Sequence, residues 1–503
     1  VLELKHEQKK KLVIVGGGMA GWVAAAALAK QFDPALYEIT IVESSHIGNI
    51  SVGESVLPSV ISFLRSLGLD EQDLIKDTQA GLKLGVQFQD WLEMGERYFH
   101  PFGRLGREWN GLDFFQYWLK ARDGGDLTPL MDYAPAAVMA KFGKFVFPFQ
   151  FSIGSPLAGA DHALHLDTTR VVAYLRDFSE KHLVKRIGGH VVHVHRRDDG
   201  NIKSLELNSR QIIQGDFFID CSGFRGLLIG ETLNVPYESW KHFLPCDRAV
   251  TAQSVNSGPT VPYMISTARE NGWSWQIPLQ KRTSRGYVFS SEHCSDDQAR
   301  QVLLDSMAGE PLIEPHFIPF RTGIRKQIWN KNCVALGLAA GFLEPLESTA
   351  IHLITRSVQI LMELFPNLSQ GEQDWPSLAT EYNTRMRADY EEVRDFIILH
   401  YCMTKRTDTE FWRRCQSNPV PERLQERIEL FKAHGQLHVD PGRLFDKSSW
   451  QAVFTGMGVI PRFHHPFADM GGFDSVLQQM KSNRTRLETA VQALPDYQGS
   501  LLE

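Results

Sequence analysis

The stretch KLVIVGGGMAGWVAAAALAKQF, Lys11 to Phe32, constrains the fold more than any other part of the chain. Leu12 to Val15 is a short apolar run of strand type, Gly16, Gly18 and Gly21 fit G-x-G-x-x-G, and an alanine-rich helix follows. In that pattern the first glycine permits a tight turn, the second lets backbone approach a pyrophosphate, and the third lets the helix lie close on the strand. The helix start, at Met19 and Ala20, offers N–H groups and a positive dipole end to phosphate. A second strand, YEITIVES, ends at Glu43, where an acidic group can accept hydrogen bonds from ribose hydroxyls. A glycine triplet alone is weak evidence, because a glycine-rich turn can hold nothing. Strand, turn, helix and acidic strand end together predict a dinucleotide-binding α/β unit.

Two later stretches return to that unit. GDFFIDCSGFRG, Gly215 to Gly226, reads as a buried strand ending in Cys221-Ser222-Gly223, a second backbone approach to the cofactor. NCVALGLAAGFLEPLESTAI, Asn332 to Ile351, reads as a strand, a glycine turn at Gly337 and a helix start. One N-terminal fingerprint with two returns to the same sheet resembles the flavoprotein monooxygenase superfamily, which implies FAD. A second G-x-G-x-x-G for a nicotinamide domain is not found, so reduced flavin is expected to arrive from outside.

Bulk properties exclude other classes. The 503 residues are 43% hydrophobic and 22% charged, ordinary for a soluble globular enzyme, and the net charge of −6 argues against nucleic-acid binding. Six cysteines are scattered without a C-x-x-C pair, so neither a metal site nor a disulfide scaffold is expected. A reducing, cytoplasmic setting fits that usage. The start carries no secretory pattern, no apolar run is long enough to span a bilayer, and no membrane association is expected.

WSWQIP, Trp273 to Pro278, asks for an explanation. On a strand, period-two alternation puts Trp273, Trp275 and Ile277 on one face and Ser274 and Gln276 on the other. That face would be a stiff aromatic wall. Its plain reading is a core strand.

At this point the chain resembles the flavin-dependent halogenases, the tryptophan halogenase family, over nearly its whole length. GGGMAG, SVGESVLP (Ser51 to Pro58), AGLKLGVQFQDW around Lys83, WSWQIP and FLEPLEST fall in the family's order. The resemblance implies an FAD-binding Rossmann-like flavoprotein monooxygenase fold, α/β, with a C-terminal, mainly helical subdomain. It implies that FADH2, supplied by a separate flavin reductase, reacts with O2 to a flavin hydroperoxide that turns chloride or bromide into hypohalous acid. That acid then halogenates an electron-rich aromatic. Trp273 and Trp275 would keep the aromatic substrate from the flavin.

The resemblance also assigns roles. Lys83 is the matching lysine that handles hypohalous acid, as a haloamine or as a polarising ammonium. Taken alone, a lysine in an apolar segment more often snorkels to the surface. Glu347 is the matching carboxylate that stabilises the cationic arene and takes its proton; its plain reading is an acid favoured at a helix start. Ser348 is placed to bridge Lys83 and Glu347 by hydrogen bonds. Thr349 and Ala350 offer the first free N–H groups of the following helix to halide. The family has Gly where Ala350 stands, so a positive φ at Ala350 would be costly. Val52 and Gly53 in SVGESVLP, and the backbone of Val191 in GGHVVHVH, complete the cofactor contacts. His100 and Phe102 in FHPFGR match residues lining the aromatic substrate pocket.

The module is expected to span residues 1–355, with inserted sheet and substrate elements, and a helical substrate-side subdomain residues 356–503, in one compact unit. EYNTRMRADYEEVRDFIILHYC and ERLQERIELFKAH carry the three- and four-residue spacing of helices. Past RTDTEFWRR the resemblance thins. Family members acting on free tryptophan have paired tyrosines and a glutamate there, but this chain has no Tyr between Cys402 and Asp496. Trp450 and Phe454 are candidate pocket residues, and an indole or another electron-rich arene is the expected substrate. A homodimer is the default for an oligomer. The rival readings are an FAD-dependent aromatic hydroxylase, which needs neither W-x-W-x-I-P nor the Lys83/Glu347 pair, and a non-catalytic flavin-binding protein.

Overall fold

The computed structural model describes residues 9–44, 53–148, 151–152, 154–256, 258–307, 309–370 and 375–500. Val52 lies outside the described residues. The apolar run that opens the fingerprint becomes the strand Lys10–Val15, central in a six-stranded sheet. Tyr37–Glu43 pairs parallel on one side and Phe217–Asp220 on the other. Cys333–Ala335 adds parallel to Phe217–Asp220, so both predicted returns lie in this sheet. Strands buried on both faces need continuous apolar sequence, and Leu12, Val13 and Ile14 are at most 1% exposed.

The helix Met19–Gln31 covers one face of this sheet and packs against the helices Thr168–Lys181 and Ala350–Glu363. Its run of Ala24 to Ala27 is buried, and such small side chains let the three helices lie close. Two further sheets build the other half of the module. A seven-stranded sheet runs in the order His316–Pro319, Arg248–Val255, Arg282–Phe289, Gly272–Pro278, Met264–Arg269, Gly85–Gln89, Arg97–Pro101. A three-stranded sheet sets Ala163–Asp167 between Gly53–Ser55 and Gly81–Lys83.

WSWQIP is the strand Gly272–Pro278 inside the seven-stranded sheet, in the expected alternation: Trp273, Trp275 and Ile277 are buried on one face. Its neighbour supplies the room. Trp275 pairs with Gly286, and a Cβ there would lie 2.1 Å from the indole. The C-terminal third is helical, with Trp375–Cys402, Glu410–Ser417, Glu422–His434, Lys447–Gly456 and Phe473–Gln492. Ala350–Glu363 is one continuous helix that runs across 355/356 and packs on Met19–Gln31.

Candidate active site

A cavity of 840 Å³ opens at the fingerprint and runs to the turn before Ala350. Gly16, Gly18, Met19, Ala20, Glu43, Gly53, Val191 and Gly337 all line it. Gly16 has a φ of +117°, and a Cβ there would meet the Cys221 carbonyl oxygen at 2.2 Å, so only glycine fits. Gly21 does not line the cavity; its missing Cβ leaves room for the Gly16 carbonyl, 1.9 Å from where that atom would sit. A Cβ on Gly18 would have nothing within 4 Å, which leaves the backbone open to the cavity. The helix starting at Met19 has no side-chain cap and no acid in its first turn, so its N–H groups and dipole face the space unopposed. Glu43 is already ion-paired with Arg186. The cavity's length, glycine cradle and open helix end fit an extended, phosphate-bearing cofactor such as FAD.

Beyond the Met264, Trp275 and Ser348 side of this cavity lies a second, fully buried cluster. Lys83 ends the strand Gly81–Lys83 and is 0% exposed. Its Nζ donates to the Val56 carbonyl at 3.2 Å and to Ser348 Oγ at 3.1 Å, and stands 4.9 Å from the centre of the Phe102 ring. Burial pushes the ammonium down to about 7, with the nearby Glu347 charge opposing. Glu347 closes the one-turn helix Pro345–Glu347 and is also 0% exposed. His100 Nδ1 lies 3.0 and 3.2 Å from its two oxygens. His400 Nε2 is 3.0 Å from Oε1, without the alignment of a hydrogen bond. Burial works to raise this carboxyl, but His100, and then His400, outweigh burial and hold it down at about 2.

Ser348 joins the two regions, since it lines the cavity and accepts from Lys83. Its own hydroxyl points to Met264 Sδ at 3.5 Å, so it ties Lys83 to the Glu347 turn through the chain and not by a hydrogen bond to the carboxylate. The positive φ of the turn falls on Ser348, at 61°, and Ala350 sits without strain as the first residue of the helix Ala350–Glu363. No side chain caps that helix, and Ala350 lines the cavity beside the buried Thr349. The N–H groups there are available to an anion.

The two tryptophans divide their work. Trp275 faces the cavity. Trp273 is fully buried behind it, its indole N–H donating to Glu344 Oε1 at 2.9 Å, where the Tyr401 hydroxyl also donates at 2.6 Å. Trp273 does not line this cavity and braces the wall from behind Trp275. His100 touches Glu347 and Phe102 touches Lys83. Trp450 reaches it only through Phe396, whose ring it meets edge-on at 4.8 Å while Phe396 lies 5.6 Å from His100. Phe454 stacks on Phe431 at 4.2 Å, inside the helical subdomain and away from Lys83 and Glu347.

Sequence reasoning missed His400, Glu344 and Phe445. Phe445 is buried and stacks on Phe396 at 3.7 Å, within 6.3 Å of the His100 ring, and so stands over the Lys83/Glu347 cluster. Glu344 lies within FLEPLEST, where of the two glutamates the resemblance assigns a role to Glu347 alone; His400 and Phe445 lie in no motif, and His400 sits in the last turn of a 28-residue helix whose periodicity speaks only of packing. Among the described residues no cluster of His, Cys, Asp and Glu could hold a metal, the six cysteines are unpaired, and no helix is long and apolar enough to cross a membrane.

The profile of the family described as tryptophan halogenase matches residues 11–472. Tryptophan 6-halogenase SttH of Streptomyces toxytricini is 33% identical, with 96% of each chain covered. Two solved structures superpose on nearly the whole chain. BrvH, a flavin-dependent halogenase from Brevundimonas sp. BAL3, has 42% identity and a TM-score of 0.92, covering 98% of this chain and 99% of its own. Xcc4156, a flavin-dependent halogenase from Xanthomonas campestris, has 39% identity and a TM-score of 0.93, covering 99% and 98%.

Proposed function

This chain belongs to the tryptophan halogenase family and is a flavin-dependent halogenase, and from that premise we propose that it halogenates an indole or a similar electron-rich arene with Lys83 and Glu347 as its catalytic residues. The observation that carries this reading is the placement of that buried pair behind the wall of the large cavity, joined to it by Ser348. Gly16, Gly18, Met19, Ala20, Gly21, Glu43, Gly53, Val191 and Gly337 would hold FAD, with its phosphates at the helix start. Bound there in reduced form, the flavin supplies, with O2, the oxidation of chloride or bromide to hypohalous acid.

The N–H groups of Thr349 and Ala350 hold the halide at the cavity end of their helix. Trp275, braced by Trp273 and Glu344, keeps the arene out of the cavity, so that only a molecule as small as hypohalous acid passes to Lys83. Lys83 receives it. Two of its N–H bonds are committed to Val56 and Ser348, the number that a neutral amine has, which leaves the lone pair for the halogen species. The arene lies against Phe102 and His100 once Phe445 gives way. Glu347, ionised between two histidines, stabilises the ring cation and takes its proton. A protonated sp³ ring carbon is a strong acid, so a carboxylate as weakly basic as this one suffices.

The electrons come from a separate reductase in this reading. The test is one assay with indole, bromide, FAD and NADH, with and without an unrelated flavin reductase, read by mass spectrometry. A bromine isotope doublet that needs the reductase is expected. A +16 product would point to a hydroxylase, and turnover of NADH by the purified protein alone would reveal a nicotinamide site.

A further inference from the structure

The strand that carries Lys83 is an edge strand. Gly81–Lys83 pairs only with Ala163–Asp167 in its three-stranded sheet. Leu82 stands opposite Leu164, whose carbonyl is already taken by the Val56 N–H at 3.0 Å, on the far side of its strand. The N–H and C=O of Leu82 therefore face away from the sheet, as an unpaired edge would. Leu82 is nonetheless 0% exposed, and a buried backbone pair without partners is costly.

One side chain fills that role. The Tyr497 hydroxyl accepts from the Leu82 N–H at 3.2 Å and donates to the Leu82 carbonyl at 3.5 Å. A single phenol thus stands in for a missing neighbour strand. The tail that carries it is docked at several points. Tyr497 N–H donates to the Gly143 carbonyl at 2.9 Å, Asp496 forms a bridge with Lys144 and pairs with its ammonium at 2.8 Å, and the Tyr497 ring is 2% exposed. Gly81 leaves the space: a Cβ there would sit 3.4 Å from the hydroxyl and 2.7 Å from the Pro278 carbonyl. The contact spans 415 residues and lies one residue from Lys83.

We propose that Tyr497 is a positioning residue for Lys83. It fixes the edge strand through Leu82, so that Nζ stays aimed between Val56 and Ser348 and the strand edge stays dry. The inference rests on the reading of Lys83 as the residue that handles hypohalous acid. Tyr497→Phe keeps the ring and its packing and removes only the two hydrogen bonds. Water can then reach the Leu82 edge, and the strand gains freedom at the residue beside Lys83.

The experiment measures, for wild type, Tyr497→Phe and Lys83→Ala, the halogenated indole formed per hypobromous acid escaping to a chemical trap, together with FAD affinity. In parallel, ¹³C-lysine NMR follows the titration of Lys83, assigned by its loss in Lys83→Ala. We expect Tyr497→Phe to bind FAD as wild type does, to lower the ratio of product to escaped oxidant about three- to tenfold, the worth of roughly one hydrogen bond, and to move the Lys83 midpoint upward as burial is relieved. A wild-type ratio and an unmoved midpoint, whatever happens to thermal stability, would overturn the proposal and leave Tyr497 a structural residue. If Lys83→Ala itself still halogenates as wild type does, the reading of Lys83 fails instead, and the two failures are told apart.

Discussion

At the scale of single residues, the two charges at the centre are held in opposite ways. Lys83 loses its charge readily because burial brings its ammonium down to about 7. Glu347 keeps its charge because two histidines outweigh its burial. Lys83→Ala should abolish indole halogenation while leaving FAD affinity and hypobromous acid formation in place, since those belong to the cavity; a variant that halogenates at the wild-type rate would remove Lys83 from the mechanism. With the folded value of Lys83 depressed from 10.5 to about 7, the ammonium dominates below pH 7 and the amine above it. The accounting of its hydrogen bonds favours the amine, so the yield of product per oxidant should rise with pH through about 7. A yield that falls across that range would assign the work to the ammonium. Glu347→Gln keeps the size and one acceptor but removes the charge and the base. The halogenation rate should drop about 10²- to 10⁴-fold, the usual worth of a positioned base, and single-turnover kinetics at saturating arene would show it. Both residues were legible in the sequence only through their motifs. The histidines that set the charge of Glu347 were legible in part: His100 lies in a motif, whereas His400 arrives from a distant helix.

At the scale of elements, motif-bearing strands and turns fell where expected because each encodes a local geometry. The fingerprint, the alternation of WSWQIP and the turn before Ala350 all specify backbone shape over a few residues, and nothing distant can overrule it. What was not legible is which distant element closes on them. The loop between the helices Glu422–His434 and Lys447–Gly456 carries Phe445 onto Phe396 beside His100. It is latched to the helix Trp375–Cys402 by Arg443, which pairs with Asp389 at 2.8 Å and Glu392 at 3.2 Å. Lys83 and Glu347 are 0% exposed in this structure, so an arene would reach them by displacing a side chain. Phe445, carried on that loop, covers the His100 side of the cluster. Phe445→Ala should lower KM for indoles with bulky substituents about three- to tenfold relative to plain indole, because the displacement cost disappears. It should leave hypobromous acid formation unchanged. Equal KM changes for small and bulky indoles would show that the arene enters by another route.

At the scale of the whole molecule, the proposed function splits the chemistry between two spaces. The flavin-sized cavity lies between the six-stranded sheet with its helices and the elements of the other sheets that carry Gly53, Met264 and Trp275, and the covered Lys83/Glu347 cluster lies beyond it, against the helical subdomain. That division decides which substrate the enzyme can hold. In this reading the arene's far end lies toward the helical subdomain, where two cations, Arg443 and Arg427, are already engaged. Arg443 is paired with Asp389 and Glu392, and the Arg427 guanidinium lies 4.0 Å over the Trp450 ring and donates to the His438 carbonyl. The tyrosines that would hold an amino-acid backbone are missing from residues 403–495. Free tryptophan would bring an ammonium and a carboxylate into this apolar, paired-off space, where each loses water without gaining a partner. Each absent charge-assisted hydrogen bond forgoes about 1.5–3 kcal/mol. Indole carries the same reactive ring without that cost. With equal indole and tryptophan in one vessel, bromide and a recycling flavin reductase, bromoindole should form faster, by at least tenfold if a single such bond is lost at about 1.5 kcal/mol. Faster bromination of tryptophan, at one ring carbon, would mean that a group in residues 415–470 binds the zwitterion after all, and replacing Arg443 or Arg427 by Gln would then show which one leaves its present partners to do so.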